Sequence, residues 1–393
     1  MSMITLQDRI RGSLIGGAIG DALGYPVEFM SRKAILRKFG DGGISQFELD
    51  KSGKALVSDD TQMTLFTANG LLNWWENENR LSGAPLSAFV ESAYLDWYYT
   101  QTGEVRVNAT GAERYSTWLR CLPELAHRRA PGTTCMSACE SILNGGRPFN
   151  NSKGCGGIMR VAPLGLFQAA YLYKNGEYLM NTARLAANGA NIAKITHLHP
   201  LGYLPAALLT VVIARIVLLS SKEVTQSFVD IVNESLDLVM ELERNEELEE
   251  ITQKAIRLAK SNSSDVDAIR LLGEGWTGEE AWAISLYCVV RHIGSMKDAI
   301  MAAVNHDGDS DSTGSITGNI MGAIYGFEYI KEEQMFCPDG KNVVDTLELL
   351  DIILAIADDI TLFTHVTEYS KTLKRDEAER WYQRYSKVIP YGL

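Results

Sequence analysis

The sequence predicts an all-α fold, a multi-helix orthogonal bundle, and three observations carry that expectation. Apolar residues recur at helical spacing along most of the chain. Strand-like alternation is weak, and only 10 prolines occur in 393 residues, gathered at apparent breaks such as Pro123, Pro131, Pro148, Pro163, Pro200 and Pro338. A sheet protein of this length needs more turn punctuation. Glycine numbers 34 and recurs inside helical segments with a regular period.

Taken in chain order, the first segment carries Gly12, Gly16, Gly20 and Gly24, one every fourth residue. Residues four apart share a helix face, so the four glycines form a smooth strip that lets another backbone approach. After Asp60, the residues Leu65, Ala68, Leu72 and Trp75 fall three and four apart, as one helix face requires. Similar patterns recur over 158–172, 178–195, 200–220, 223–243, 263–272, 279–291, 297–304, 313–329 and 346–364. Within 313–329 the ladder returns as Gly314, Gly318, Gly322 and Gly326. Eight helical glycines cost up to roughly 8 kcal/mol against alanine, so they must serve a close contact, such as two central helices packed against each other. The apolar run Leu204–Leu219 is shorter than the roughly 20 residues of a membrane span and contains Arg215, which makes it a buried core helix. The charged run at 243–250 reads as a solvated helix end or loop. No low-complexity linker divides the chain, so residues 1–393 are expected to form a single domain of roughly fifteen helices.

Composition narrows the function classes. Lys plus Arg total 37 and Asp plus Glu 49, a formal net charge of −12, which argues against a general nucleic-acid binder. Apolar residues make up 46%, enough for a globular core. The six cysteines lack any disulfide-like spacing, and the first residues carry charges where a secretion signal needs an apolar core. A reducing cytoplasm, no membrane and a monomeric state are the expectations.

The surplus acid is clustered. Asp21 and Glu28 flank the end of the first glycine ladder, Ser58-Asp59-Asp60 precedes the amphipathic helix, and Asp307, Asp309 and Asp311 lie just before the second ladder. Ser and Asp are favoured helix N-caps, which accounts for one residue at each place. Alternating aspartates separated by Gly and Ser repel one another unless something positive lies among them, and a hard divalent cation with oxygen ligands is the simplest candidate. An EF-hand fails, because counting from Asp307 puts Ser312 sixth and Gly318 twelfth, where that loop needs Gly and Glu. No phosphate-binding Walker loop occurs. The aromatic run Trp97-Tyr98-Tyr99 suits either core packing or stacking on a base.

In order along the chain stand Gly-Asp-Ala-Leu-Gly at 20–24 with Glu28 following, Ser-Asp-Asp-Thr-Gln-Met at 58–63, Gly-Cys-Gly-Gly-Ile-Met-Arg at 154–160, Ile-Thr-His-Leu-His-Pro-Leu-Gly-Tyr-Leu at 195–204, and Gly-Asp-Ser-Asp-Ser-Thr-Gly at 308–314. With these motifs the sequence resembles the ADP-ribosylglycohydrolases, an all-α family with a dinuclear metal centre. Within it the chain looks most like the branch that removes ADP-ribose from arginine. The features in common are Asp309 to Ser312, Cys155 in the glycine loop, Arg-Ala-Pro-Gly at 129–132, and the run from Thr196 to Leu204. It departs from the dinitrogenase reductase-activating branch at Ala130, where that branch has an acidic residue, and looks shorter than the arginine branch between 225 and 275.

The resemblance implies that Ser58, Asp59, Asp60, Asp309, Asp311 and Ser312 hold two Mg²⁺ or Mn²⁺ ions, with Glu28 as a further carboxylate acting as ligand or gate. It implies that Gly132, Gly154, Cys155, Gly156, Gly157, Gly275 and Trp276 line the ADP-ribose site, with His197 or His199 near the distal ribose. The chemistry is consistent with those residue types. Ions fix ribose hydroxyls and position a water, Asp59 or Asp60 orients or deprotonates it, and glycine N–H groups cradle pyrophosphate. The expected activity is metal-dependent hydrolysis of the N-glycosidic bond in mono-ADP-ribosylated protein arginine, an ADP-ribosylarginine hydrolase. The alternatives are hydrolysis of an O-linked or small-molecule ADP-ribosyl group, and a non-catalytic binder such as an immunity protein.

Overall fold

The chain folds almost entirely into helices. The computed structural model describes residues 4–77, 83–105, 115–175, 182–338, 340–366 and 375–385. In order the helices are α1 (Leu6–Gly24), α2 (Arg32–Phe39), α3 (Asp59–Asn77), α4 (Leu86–Thr102), α5 (Thr133–Leu143) and α6 (Ala162–Asn175). There follow α7 (Thr182–Ala193), α8 (Pro200–Leu218), α9 (Ser221–Leu242), α10 (Glu246–Ala259), α11 (Asp265–Leu272) and α12 (Gly278–Arg291). The last are α13 (Met296–Val304), α14 (Ser310–Tyr325), α15 (Phe327–Glu333), α16 (Val343–Thr346), α17 (Leu350–Val366) and α18 (Arg375–Tyr385). Among the described residues β-structure is limited to three isolated bridges, one of them Gly154 to Thr277. The all-α expectation holds.

Many helix starts are written locally. Thr5 caps α1 by accepting from the Asp8 N–H, and Ser220 and Glu223 cap α9 reciprocally, so orphan N–H groups find partners. One expectation needs correction. The 313–329 pattern is two helices, because Gly326 adopts φ +83° and ends α14. The charged run at 243–250 is a helix end, as expected: Glu243 closes α9, Asn245 caps α10, and Glu246, Glu247 and Glu249 occupy its first turn, where carboxylates suit the helix dipole. The 178–195 pattern is seen as α7, with 178–181 outside the described residues. The apolar helix α8 lies inside the core, with Arg215 at its edge paired to Glu234 at 2.8 Å.

At the centre α1 and α14 run antiparallel with their glycine strips in register. Gly12 faces Gly322, Gly16 faces Gly318, and Gly20 faces Gly314, and a Cβ added at any of the six would collide with a backbone carbonyl opposite. Two backbones at that separation leave room for no side chain, which is why alanine fails where glycine succeeds. The pairing continues to Gly24, which lies against Ser310 and Asp311. The C-terminal end of α1 is thereby fixed against the N-terminal start of α14, where both acidic motifs stand.

Candidate metal and ligand site

Three chain segments meet where the glycine ladder stops. Asp21, on α1, is fully buried and accepts from the Ser58 N–H at 2.9 Å, from the Thr61 N–H at 3.1 Å and from the Thr61 hydroxyl. It therefore ties down the N-terminus of α3, whose orphan N–H groups need an acceptor. Ser58 Oγ accepts from the Asp60 N–H at 3.2 Å. Asp309 caps α14 by accepting from the Ser312 N–H at 3.3 Å, and the Asp311 carboxylate reaches the Ser58 hydroxyl. The starts of α3 and α14 thus converge, and both direct their positive dipole ends at one place.

Six carboxylates gather there: Asp21, Glu28, Asp59, Asp60, Asp309 and Asp311, all buried. Among the described residues none of them forms an ion pair. Burial, then the charge of Asp311, pushes Glu28 up to about 10 and Asp21 to about 7. Burial and Asp311 likewise hold Asp59 and Asp60 well above the usual carboxylate range, and burial with Asp309 does the same to Asp311. Each carboxylate has turned to a local donor where one exists. Asp59 Oδ2 accepts from the Gly132 N–H at 3.2 Å, and Asp309 Oδ2 accepts from the Cys155 thiol at 2.7 Å. Asp60 Oδ2 and Glu28 Oε2 remain buried without a partner.

That donor set suits a hard divalent cation. It is dominated by carboxylate and hydroxyl oxygens, carries excess negative charge, and leaves two buried oxygens unsatisfied. Among the described residues no group of three or more His, Cys, Asp or Glu side chains is arranged to hold an ion as it stands. The fit is one of chemistry and backbone placement, with the side chains drawn onto the donors just named.

The glycine loop borders this centre. Cys155–Gly157 forms a short 3₁₀ turn, anchored by the Cys155 N–H to Trp276 O at 3.1 Å and by the Gly278 N–H to Lys153 O at 2.7 Å. Gly275, at φ +87°, lies on Thr313 and Asp309, which seats the 273–276 segment on the start of α14. Trp276 stacks on Phe29 with centroids 5.7 Å apart and planes 16° off parallel; Phe29 is 74% exposed. His197 is buried beside the loop, with its ring against Gly154 and Gly156.

Several of the groups expected near the ligand already have partners within the protein. Gly132 is exposed, but its N–H is taken by Asp59. The N–H of Gly275 goes to Glu280 at 3.2 Å. Gly157 is buried, and a Cβ there would strike Gly202 O, so it is a packing glycine. His199 caps α8 through Nδ1, accepting from the Leu201 N–H at 3.1 Å. Asp307 turns away from the centre and accepts from the Arg32 N–H at 2.8 Å, the start of α2. Trp97 is fully buried and donates to Gln62 at 3.2 Å, which assigns it to the core. Ser58, Asp59, Asp60, Asp309, Asp311, Ser312, Glu28 and Cys155 do come together. Sequence reasoning assigned no task to Asp21 or Phe29, though both stand within or next to a motif it singled out. A cavity of about 550 Å³ elsewhere, lined by Lys54, His127, Arg129, Glu348 and Asp351 among others, contains none of the acidic-centre residues. It is tied to the centre through hydrogen bonds: Arg129 pairs with Glu348 at 2.6 Å, Glu348 accepts from the Val57 N–H at 3.0 Å, and Arg129 O accepts from the Asp59 N–H at 3.0 Å.

Comparison with known proteins agrees with this architecture. A family model described as ADP-ribosylglycohydrolase matches residues 2–367. An uncharacterised protein of Archaeoglobus fulgidus is 27% identical over 326 residues, 81% of this chain and 88% of that protein. The ADP-ribosyl-(dinitrogen reductase) glycohydrolase of Rhodospirillum rubrum is 24% identical over 368 residues, 90% of this chain and 98% of that protein. Among solved structures, an ADP-ribosylglycohydrolase-related protein complex shares the fold, with a TM-score of 0.57 and 19% identity over 91% of this chain and 99% of that one. With a family model spanning nearly the whole chain and the motifs folded into one buried centre, the protein belongs to the ADP-ribosylglycohydrolase family, whose chemistry is hydrolysis of an ADP-ribosyl bond.

Proposed function

We propose that the protein is a metal-dependent hydrolase that removes ADP-ribose from mono-ADP-ribosylated arginine in proteins. The observation that carries the metal is the buried, all-oxygen centre at the starts of α3 and α14, with Asp60 Oδ2 and Glu28 Oε2 unpartnered. Two Mg²⁺ or Mn²⁺ ions held by Ser58, Asp59, Asp60, Asp309, Asp311 and Ser312 would offset that charge and polarise sugar and water oxygens. The relative from Rhodospirillum rubrum is named for removing ADP-ribose from a protein, which supports a protein substrate. Cys155 in the glycine loop and the Asp-Ser-Asp-Ser run at 309–312 support the arginine linkage by resemblance.

The chain's own groups divide the work. The glycine loop presents the Gly154 and Gly156 backbone to the ligand, with the His197 ring, Ser152 and Cys135 packed against it. The bond to be broken joins the ribose anomeric carbon to a guanidine nitrogen, and its departure develops oxocarbenium-like charge that the surrounding carboxylates stabilise. Asp60 Oδ2, free of any protein donor, takes a proton from the incoming water as the water oxygen bonds to that carbon. The carbon–nitrogen bond breaks, and the same proton becomes available to the departing guanidine.

The test is ADP-ribose release from arginine-modified and serine-modified peptides in Mg²⁺ or Mn²⁺. Release from the arginine peptide is expected. Release from the serine peptide alone would move the assignment to an O-linked bond. Tight binding of the arginine peptide with no release, beside a working control enzyme, would make the protein a binder.

A further inference from the structure

Behind the glycine loop lies a fully buried arginine that the proposed chemistry does not use. Arg160 stands at the end of the loop motif with 0% exposure, its guanidinium 4.3 Å from the face of Tyr94. Its Nη2 donates to Thr196 Oγ1 at 2.5 Å, and Nη1 touches Cys135 Sγ at 3.4 Å and Met63 Sδ at 3.5 Å. No carboxylate pairs with it among the described residues. A buried, unpaired guanidinium is expensive, so its placement calls for a function.

That function follows from donor and acceptor counting. Guanidinium can only donate, so Thr196 Oγ1 must be the acceptor in its bond with Arg160. The one hydroxyl proton of Thr196 is then left for another neighbour. His197 Nδ1 lies 2.8 Å away, Ala193 O 3.5 Å away, and Cys135 Sγ is a third neighbour of the hydroxyl. Distance and acceptor strength favour Nδ1: the carbonyl lies at the limit of a hydrogen bond and sulfur accepts weakly. An imidazole that accepts at Nδ1 carries its proton on Nε2. Burial, then the charge of Arg160, pulls His197 down to about 3, so the ring stays neutral at physiological pH. Nε2 lies beside the Cα atoms of Gly154 and Gly156, where a Cβ would come within 3.3 Å of it, and no described residue hydrogen-bonds it.

We propose that Arg160 and Thr196 are positioning residues that fix His197 as the Nε2–H tautomer, an obligate hydrogen-bond donor beside Gly154 and Gly156 for an acceptor oxygen of the ADP-ribosyl ligand. The identity of the ligand rests on the function proposed above; the tautomer does not. The glycines then have a second role beyond backbone approach, since any side chain at 154 or 156 would occupy the space over Nε2. Phosphate and ribose oxygens both accept a hydrogen bond, and they differ in which fragment of the ligand carries them.

The experiment is nitrogen-15 NMR of ring-labelled histidine in the full chain, with Thr196→Val, Thr196→Ser and Arg160→Lys beside the wild type. In the wild type, Nδ1 of His197 should report as unprotonated and Nε2 as protonated from about pH 6 to pH 8. Thr196→Val should lose that single state, and Thr196→Ser should restore it. ADP-ribose should shift Nε2 alone, and ribose 5-phosphate or inorganic phosphate, added separately, should identify the oxygen by reproducing the shift or failing to. ADP-ribose affinity, read by calorimetry, should fall about tenfold in Thr196→Val and recover in Thr196→Ser. A protonated Nδ1 in the wild type would overturn the proposal whether or not the protein binds ADP-ribose. So would a folded Thr196→Val with unchanged tautomer and affinity, or bound ADP-ribose that leaves Nε2 unshifted. Absence of ADP-ribose binding with the Nε2–H tautomer intact would instead count against the assigned ligand.

Discussion

The two ends of the α1–α14 pair are built from the same helices and answer opposite demands. From Gly12 to Gly20, facing Gly322 to Gly314, the glycine strips meet backbone to backbone and carry no charge, and the polar groups beside them are neutral: Ser13 Oγ donates across the pair to Asn319 O at 2.9 Å, and the Asn319 side chain lies against Gly17. Just beyond, Asp21, Asp309 and Asp311 are buried together with Glu28, Asp59 and Asp60, and two of their oxygens have no partner. The first region buries no charge and is held by folding alone, whereas the second is placed by folding but left with buried carboxylates that no ion pair offsets among the described residues. The lesson is that the tight half serves the costly half: helix axes held at glycine separation cannot slide, so the carboxylates cannot separate to relieve their repulsion.

The sharpest way to break that comparison is to pry the axes apart. Gly20→Val puts a branched side chain into the carbonyl of Gly314, and should remove about 4 kcal/mol or more of stability, enough to abolish a cooperative transition. Gly132→Ala, with nothing within 4 Å of the new methyl, should stay within about 0.5 kcal/mol of wild type. Denaturant melts of the two variants test this, and a Gly20→Val protein that melts like wild type would mean the strips do not touch.

The acidic end should respond in the opposite sense. Carboxylates whose folded values lie above their unfolded ones bind more protons when folded, so their contribution is present at low pH and lost as pH rises past about 4. Chelated protein should therefore lose stability between about pH 5 and pH 8. A divalent ion at a hundredfold excess over its Kd should return about 2.7 kcal/mol. Asp309→Asn should cut hydrolysis at least about 100-fold while leaving the chelated protein as stable as wild type or more so. Melting temperatures with and without chelator across pH read both. A loss of stability in chelated Asp309→Asn would show that the aspartate is a structural cap only.

A smaller effect separates the acidic centre from the histidine beside it. His197, pulled down to about 3, binds its proton more weakly when folded, so its contribution is present above about pH 6.5 and lost as pH falls toward 3. Each pH unit below 6.5 should cost about 1.4 kcal/mol from this one group. His197→Gln should flatten that acid limb without altering the alkaline one. An unchanged acid limb would place the ring in water.

The sequence made the fold and the acidic motifs legible for different reasons. A period of four glycines is a backbone signal that announces a close helix pair, but full overlap of the two strips would set 12 against 326, and the observed register of 12 with 322, 16 with 318 and 20 with 314 is one step away from that, set by packing across the chain. Ser58, Asp59, Asp60, Asp309, Asp311 and Ser312 could be named because each sits at a helix start within a recognisable motif. What stayed hidden depends on geometry across the chain. Asp307 alternates with Asp309 and Asp311 yet faces α2, because Gly308 at φ +113° turns the backbone between them. Asp21 looked like one more residue of the glycine motif, and only contact with Ser58 and Thr61 shows it capping another helix. The N–H groups of Gly132 and Gly275 are spent on Asp59 and Glu280, partners that glycine content alone cannot reveal.

The central claim is that the acidic end of the ladder is a two-ion site, and counting ions tests it most directly. Calorimetric titration of chelator-stripped protein with Mn²⁺, checked by metal analysis after dialysis, should give two ions per chain in the wild type and fewer in both Asp60→Ala and Asp309→Ala. No bound ion in the folded wild type, or an undiminished count in either variant, would contradict the account.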